Sequence, residues 1–330
     1  MRVLIFHPVM LPVAHYGGVE RVVLWLAKGL VELGCSVTVA ALKGSVLPDN
    51  LGLIEIDPSD CSAEVLLRDK NKFSDFDIIH FMAPPEQVVQ ETLKTNWLVT
   101  VHGNGKPGEI FSRNCIFLSR DHAKRHGSNV FVYNGVDPDE YKLGRNFGDR
   151  ENLLFLSKTS WRVKNLSGAM KISKKAGVKL SIAGGNRPIL RKFISAMCPS
   201  FYDWYGSVGG QKKTELLETS GGLLFPIIWD EPFGLVMVEA LLSGMPVFSV
   251  NRGSVSEVVL PSQGIVANSL AQLGEKVSEL TGGKNSCKQW NSSWNSSHLR
   301  DETLSRFHYK VMAQNYLNLF QKRINGETLL

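Results

Sequence analysis

The chain has 330 residues, 43% of them hydrophobic and 21% charged, with a net charge of +6. That length exceeds one ordinary core, so two domains are expected, and the balance of apolar and charged residues excludes a disordered chain. Five scattered cysteines (Cys35, Cys61, Cys115, Cys198, Cys287), with no Cys-x-x-Cys pair, argue against a disulfide framework or structural zinc and for a reducing compartment.

Residues 2–6 read as a strand too short for a signal peptide, and no apolar run approaches a membrane span, so a cytoplasmic protein is expected. Gly17-Gly18-Val19-Glu20-Arg21 opens a helix over Gly18–Leu33, apolar at Val19, Val22, Val23, Leu26 and Leu30 and stopped at Gly34. Paired glycines let backbone approach a phosphate, and a helix start favours negative charge. The run is not Gly-x-Gly-x-x-Gly, however, so no dinucleotide fingerprint is present. Val37–Ala41, Ile78–Phe81, Leu98–Val101, Ile116–Leu118 and Val130–Val132 follow as buried parallel strands. Asp75-Phe76-Asp77 has the form of a metal-binding pair, but it abuts Ile78–Phe81 and reads as the start of that strand. No metal or cofactor is expected. The scheme repeats with strands at Leu153–Leu156, Lys179–Ala183, Leu223–Pro226 and Val247–Val250.

Alternating strands and helices imply an α/β protein of two doubly wound, Rossmann-like domains, with a cleft at the carboxyl ends of their strands. The break is expected near Leu143–Arg150, after the Asn134-Gly135 turn. The expected domains are residues 1–146 and 147–305, with a C-terminal helix in 306–330 packing back on the first. That helix is read over Glu302–Gln321. Asn291-Ser292-Ser293 and Asn295-Ser296-Ser297 match glycosylation sequons inside an Asn/Ser-rich loop, with no secretory signal to support them. Charge is uneven: residues 1–150 hold 16 Lys and Arg against 18 Asp and Glu, and the remainder holds 21 against 13. The excess is dispersed from Lys171 to Lys213 without aromatic interleaving, so it reads as solvated helix faces that also attract an anionic nucleotide, not as a nucleic-acid site.

The segment from Phe225 to Glu257 is the most informative. An apolar strand runs into a loop with Glu231 and a Pro232-Phe233-Gly234 turn, and a helix carrying Glu239 follows. Eight helical residues would span about 12 Å, roughly the distance from hexose to ribose in a sugar nucleotide. Carboxylates accept hydrogen bonds from sugar hydroxyls, and the helix start between them offers N–H groups to phosphate.

These features together resemble the retaining glycosyltransferases of family 4, whose two-domain fold is called GT-B. The carriers are Gly17-Gly18-Val19-Glu20-Arg21, Thr100-Val101-His102-Gly103, Asn134-Gly135-Val136-Asp137, Lys164-Asn165 and Glu231-Pro232-Phe233-Gly234-Leu235-Val236 with Glu239-Ala240. The last is highly specific, and the others stand in the expected order over nearly the whole chain. The compact length and Tyr16-Gly17-Gly18 look most like short bacterial members, several of which use UDP-glucose or related donors.

The resemblance implies transfer of a hexosyl unit from a nucleoside diphosphate sugar, a UDP-sugar being favoured, to an acceptor hydroxyl with retained anomeric configuration. It implies that Glu231 holds donor-sugar hydroxyls and Glu239 the ribose. The amides of Phe233, Gly234 and Leu235 would meet sugar and phosphate, with Gly17 and Gly18 also on the donor. His102 would lie beside the donor sugar on the acceptor side. Members carry an arginine at the end of the second domain's first strand and a lysine shortly after it, both on the diphosphate. Here those places hold Lys158 and Lys164, so a bidentate fork is replaced by a point charge, and Arg162 is a candidate to compensate. Acceptor contacts would come from the loops at Val9–His15, Ala83–Glu86 and Gly103–Glu109. These specify neither a small molecule, a lipid-linked sugar nor a lipopolysaccharide, and at most peripheral membrane contact is expected. Two other readings share the architecture: a sugar-nucleotide 2-epimerase, and a non-catalytic sugar-nucleotide-binding protein.

Overall fold

The computed structural model describes residues 1–13, 17–69, 73–106, 108–144, 150, 152–185, 201–281 and 294–329. Tyr16, Cys198, Cys287, Asn291 and most of the expected break near Leu143–Arg150 lie outside these residues. Two compact units divide the chain. Met1–Val13, Gly17–Val136 and Phe307–Leu330 form one, and Asp137–Arg306 belongs to the other.

In the first unit the strands are β1 (Arg2–Phe6), β2 (Ser36–Leu42), β3 (Gly52–Ile56), β4 (Ile78–Phe81), β5 (Trp97–Thr100) and β6 (Cys115–Ile116). They pair in parallel in the order β3-β2-β1-β4-β5-β6. The helices are α1 (Gly18–Glu32), α2 (Val65–Arg68), α3 (Gln87–Thr92) and α4 (Arg120–Arg125). Four-residue runs such as Ile78–Phe81 and Trp97–Thr100 are buried throughout, as strands covered on both faces require. Asp75 and Asp77 both engage Arg2 at the foot of this sheet. Asp77 accepts the Arg2 backbone N–H at 2.6 Å, and Asp75 lies 3.7 Å from its guanidinium.

The second unit repeats this plan with β7 (Leu153–Leu156), β8 (Leu180–Ala183), β9 (Tyr202–Gly206), β10 (Gly222–Phe225), β11 (Val247–Val250) and β12 (Gly264–Ala267). Its helices are α5 (Leu166–Ala176), α6 (Gly210–Thr219), α7 (Leu235–Leu242), α8 (Val255–Val258), α9 (Leu270–Thr281) and α10 (Ser296–Phe307). The sheet order is β12-β11-β10-β7-β8-β9, again all parallel. Both sheets therefore run 3-2-1-4-5-6 in their own strand numbering. The order reverses between β1 and β4 in one unit and between β7 and β10 in the other, and ligands of such sheets bind beyond the strand ends at that reversal.

The fold differs from expectation in three respects. The strands β3, β9 and β12 were not foreseen, and all three are sheet edges with half-exposed residues. Val130–Val132 is not a strand but a single bridge between Phe131 and Phe117. The C-terminal helix is two, because the backbone turns aside at His308 to pair with Val136. The Val136 N–H donates to Phe307 O at 2.9 Å, and the Tyr309 N–H donates to Val136 O at 3.0 Å. His308 Nδ1 then caps the last helix, α11 (Tyr309–Ile324), by accepting from the Lys310 N–H.

Helix α11 lies in the first unit against α1, burying Met312, Ala313, Tyr316 and Phe320. A polar chain fastens it to the sheet: His80 Nε2 and Thr100 Oγ1 are 2.8 Å apart, and Thr100 Oγ1 is 2.8 Å from the Tyr316 hydroxyl. All three side chains are fully buried, so each bond satisfies a group that would otherwise be desolvated without a partner.

Candidate active site

In the second unit the chain leaves β7 at Ser157-Lys158 and leaves β10 at Pro226, and those two strands are neighbours at the reversal. Everything projected from the two exits therefore meets over one sheet end. After β7 the chain makes a helical turn at Arg162–Lys164, and Asn165 then takes a left-handed conformation with φ of 56°. Asn165 caps α5 through the Gly168 N–H and donates Nδ2–H to Pro226 O at 2.9 Å, fixing the first exit to the second.

This pinning brings Lys164 to Glu231. Lys164 Nζ donates to Glu231 Oε2 at 2.6 Å, and the two side chains are 10% and 8% exposed. The Trp229 indole Nε1–H donates to the same oxygen at 2.7 Å, while the ammonium lies 4.7 Å from the Trp229 ring centre and 5.2 Å from that of Phe225. Among the described residues, Glu231 Oε1 accepts no hydrogen bond. The carboxylate is thus held by one oxygen and offers the other. Lys158 is exposed, its ammonium 5.0 Å from the Trp161 ring centre, and Arg162 is exposed as well.

Beyond Glu231 the chain turns through Phe233, buried, and Gly234, whose φ of 79° places it in the region that favours glycine, and α7 begins at Leu235. The Leu235 and Val236 N–H groups that open α7 precede its first turn bond, from the Met237 N–H to Gly234 O at 2.9 Å, so this start is suited to an anion. Glu239 stands one turn further along, 3% exposed. Its Oε1 accepts from the Tyr141 hydroxyl at 2.8 Å and from Lys213 Nζ at 2.6 Å. The expected residues Lys158, Arg162, Lys164, Glu231, Phe233, Gly234, Leu235 and Glu239 all belong to this unit. Trp229, Tyr141 and Lys213 were not singled out. Trp229 carried a usable signal, since an indole two residues before a carboxylate in a turn can reach it. Tyr141 and Lys213 are about 100 and 26 residues from Glu239, and only the fold joins them to it.

Gly17, Gly18 and His102 lie in the first unit, at the carboxyl end of its sheet. Gly17 caps α1 where a β-carbon would fall 2.5 Å from Val13 Cγ2 and 2.7 Å from Glu20 Oε2. His102 follows β5 and is half-buried as a residue, and among the described residues its buried Nε2 has no hydrogen-bond partner. A residue not foreseen, His122, fixes the loop there. Its Nδ1 accepts the Leu118 N–H at 3.2 Å, so the ring proton sits on Nε2, which is 3.2 Å from the Gly103 carbonyl.

Burial keeps these imidazoles neutral. It holds His102 down at about 3, helped by His7 and His122, and His80 at about 3, helped by His102. His7 and His122 are held at about 4, again mainly by burial. In the unfolded chain all four titrate near 6.5, so below that pH the unfolded state binds protons that the folded state refuses. Their contribution to stability is complete above about pH 6.5 and is lost as pH falls toward 4 and then 3. Melting temperature followed by calorimetry is expected to drop steadily from pH 7 to 4.5, and a flat profile would contradict this arrangement.

Two sheets of 3-2-1-4-5-6 order, the second bearing a cation–carboxylate cluster at its reversal, define a protein of the GT-B fold. Residues 144–293 match the family model described as glycosyl transferases group 1, which supports a domain of that kind over those residues. An uncharacterized glycosyltransferase of Methanocaldococcus jannaschii is 26% identical over 149 residues, 39% of this chain; the match spans 37% of that relative's length. Among solved structures, AviGT4, a glycosyltransferase involved in avilamycin A biosynthesis, superposes with a TM-score of 0.77 at 22% identity, over 98% of each chain. Sucrose-phosphate synthase from Thermosynechococcus elongatus gives 0.75 at 14% identity, over 99% of this chain and 100% of that one. The HepE protein of Anabaena, in complex with UDP and glucose, gives 0.70 at 13% identity, over 98% and 100%.

Proposed function

We propose that the chain is a retaining, metal-independent hexosyltransferase that moves a hexosyl unit from a nucleoside diphosphate sugar, a UDP-sugar first among them, to an acceptor hydroxyl. The observation that carries this reading is Glu231, held at Oε2 by Lys164 and Trp229 beside the start of α7, with Glu239 one turn into the same helix. The glycosyl transferases group 1 match over residues 144–293 supports it, and one structural relative is in complex with UDP-glucose.

On this reading Glu231 accepts hydroxyls of the donor hexose through Oε1, and Glu239 accepts those of the ribose. The α7 amides from Leu235 and the ammonium groups of Lys158 and Lys164 meet the diphosphate, with Arg162 as a further cation. The bond between the anomeric carbon and the diphosphate oxygen breaks as the acceptor oxygen attacks from the same face, and the acceptor proton passes to the departing diphosphate. The barrier lies in separating a sugar cation from an anion, so fixed positive charge on the leaving group is what accelerates the reaction. Neither glutamate serves as acid, base or nucleophile. His102 would border the acceptor. The acceptor class, whether small molecule, lipid-linked sugar or lipopolysaccharide, is for a screen to identify. Among the described residues no helix is long and apolar enough to cross a membrane.

The deciding experiment measures nucleotide release from UDP-, GDP- and ADP-sugars with and without an acceptor panel. Acceptor-stimulated release from one donor class, lost in Glu231→Ala, is the expected result. Interconversion of donor epimers would replace this reading with a 2-epimerase, and binding without turnover would replace it with a silent sugar-nucleotide-binding protein.

A further inference from the structure

The carboxylate of Glu239 is unusually constrained for a helical side chain. One oxygen receives both a phenol and an ammonium, and the partners are themselves shielded: Tyr141 is 4% exposed and the Lys213 side chain 16%. The Tyr141 backbone is also fixed. Arg300 donates from Nη1 to Tyr141 O at 2.7 Å and to Leu242 O at 2.6 Å, and from Nη2 to Pro138 O at 3.0 Å. The segment that presents the phenol is therefore clamped to the C-terminal end of α7, whose middle carries the glutamate. Rotating the carboxylate would break two bonds to a charged acceptor, each stronger than a neutral one.

A fixed carboxylate reads hydroxyls differently from a mobile one. If it can turn, the loss of one ligand hydroxyl is absorbed by rotation and water. If it cannot, rotation cannot make up for the missing hydroxyl, and sites built to hydrogen-bond a hydroxyl reject the analogue lacking it strongly. We propose that Tyr141 and Lys213 are positioning residues that lock Glu239, and that this lock makes the nucleotide site prefer ribonucleoside over 2′-deoxyribonucleoside diphosphates. The inference rests on the reading of Glu239 as the ribose partner.

Equilibrium binding of UDP, GDP and ADP, each beside its 2′-deoxy counterpart, tests it in the full chain. The wild type is expected to bind its preferred ribonucleotide about tenfold or more tighter than the deoxy form. Tyr141→Phe, which keeps the ring, and Lys213→Gln, which keeps a donor at reduced charge, are each expected to reduce that ratio at least about threefold. A purely structural ion pair would lower both affinities together and leave the ratio unchanged. Ratios that survive in both folded variants but collapse in Glu239→Ala overturn the inference while leaving Glu239 on the ribose. A ratio unaltered even in Glu239→Ala removes the ribose assignment, and the inference with it.

Discussion

Replacing Lys164 by methionine is expected to lower hexosyl transfer by about two to three orders of magnitude, the cost of removing one fixed donor from a developing anion. The ammonium sits between an aromatic floor and the Glu231 carboxylate, on a side chain that is 10% exposed. Lys158 and Arg162 are exposed, so water screens their charge and each is expected to matter less. Loss of Lys164 also strands a buried carboxylate with Trp229 as its remaining described donor, which costs about 3–5 kcal/mol. Stability and chemistry must therefore be separated. In the double variant Lys164→Met with Glu231→Gln the stranded charge is gone, so thermal stability should recover; the chemistry is read from the transfer rate of folded Lys164→Met alone. Full transfer by a folded Lys164→Met protein would remove Lys164 from the leaving-group site.

How much of this was legible beforehand depends on burial. The central strands announce themselves as short unbroken apolar runs, because both of their faces are covered: Leu153–Leu156, Leu223–Phe225 and Val247–Val250 can hardly be anything else. The edge strands carry no such mark. In β3, Gly52–Ile56, one residue of five is buried, and β9 mixes Tyr202, Trp204 and Tyr205 with Asp203 and Gly206. The break at His308 was invisible for another reason. The apolar spacing of Phe307, Val311 and Tyr316 suits a continuous helix, and the competing backbone partner, Val136, lies about 170 residues away. The site divides in the same manner. Glu231 and Glu239 were marked in the sequence by the motif around them, and Lys164 by the resemblance to family 4. That Lys164 and Glu231 bind each other, and that Tyr141 and Lys213 hold Glu239, are facts of tertiary structure.

Gly253→Ala is expected to reduce transfer about a hundredfold although residue 253 carries no functional group. Gly253 has φ of +60° and forms a parallel bridge with Glu231. A β-carbon there would stand 2.4 Å from both the backbone N and O of Glu231, and 2.7 Å from the Asp230 carbonyl carbon. These are backbone atoms, so no side-chain rotation relieves the overlap. The next residue tightens the same clamp: the Ser254 N–H donates to Glu231 O at 2.9 Å, and Ser254 Oγ donates to Phe233 O at 3.0 Å. Alanine must therefore push Glu231 away from Lys164 and Trp229, and displacements near 1 Å at a reacting centre cost roughly 10²-fold in rate. The left-handed backbone adds about 1–3 kcal/mol of strain, visible as a lowered melting temperature. Ser254→Ala supplies the contrast. It removes one hydrogen bond of about 1 kcal/mol and leaves the Glu231 backbone where it is, so transfer should fall only severalfold. If initial rates and melting curves instead show the two variants behaving alike, the position of Glu231 is set by something other than its bridge to Gly253.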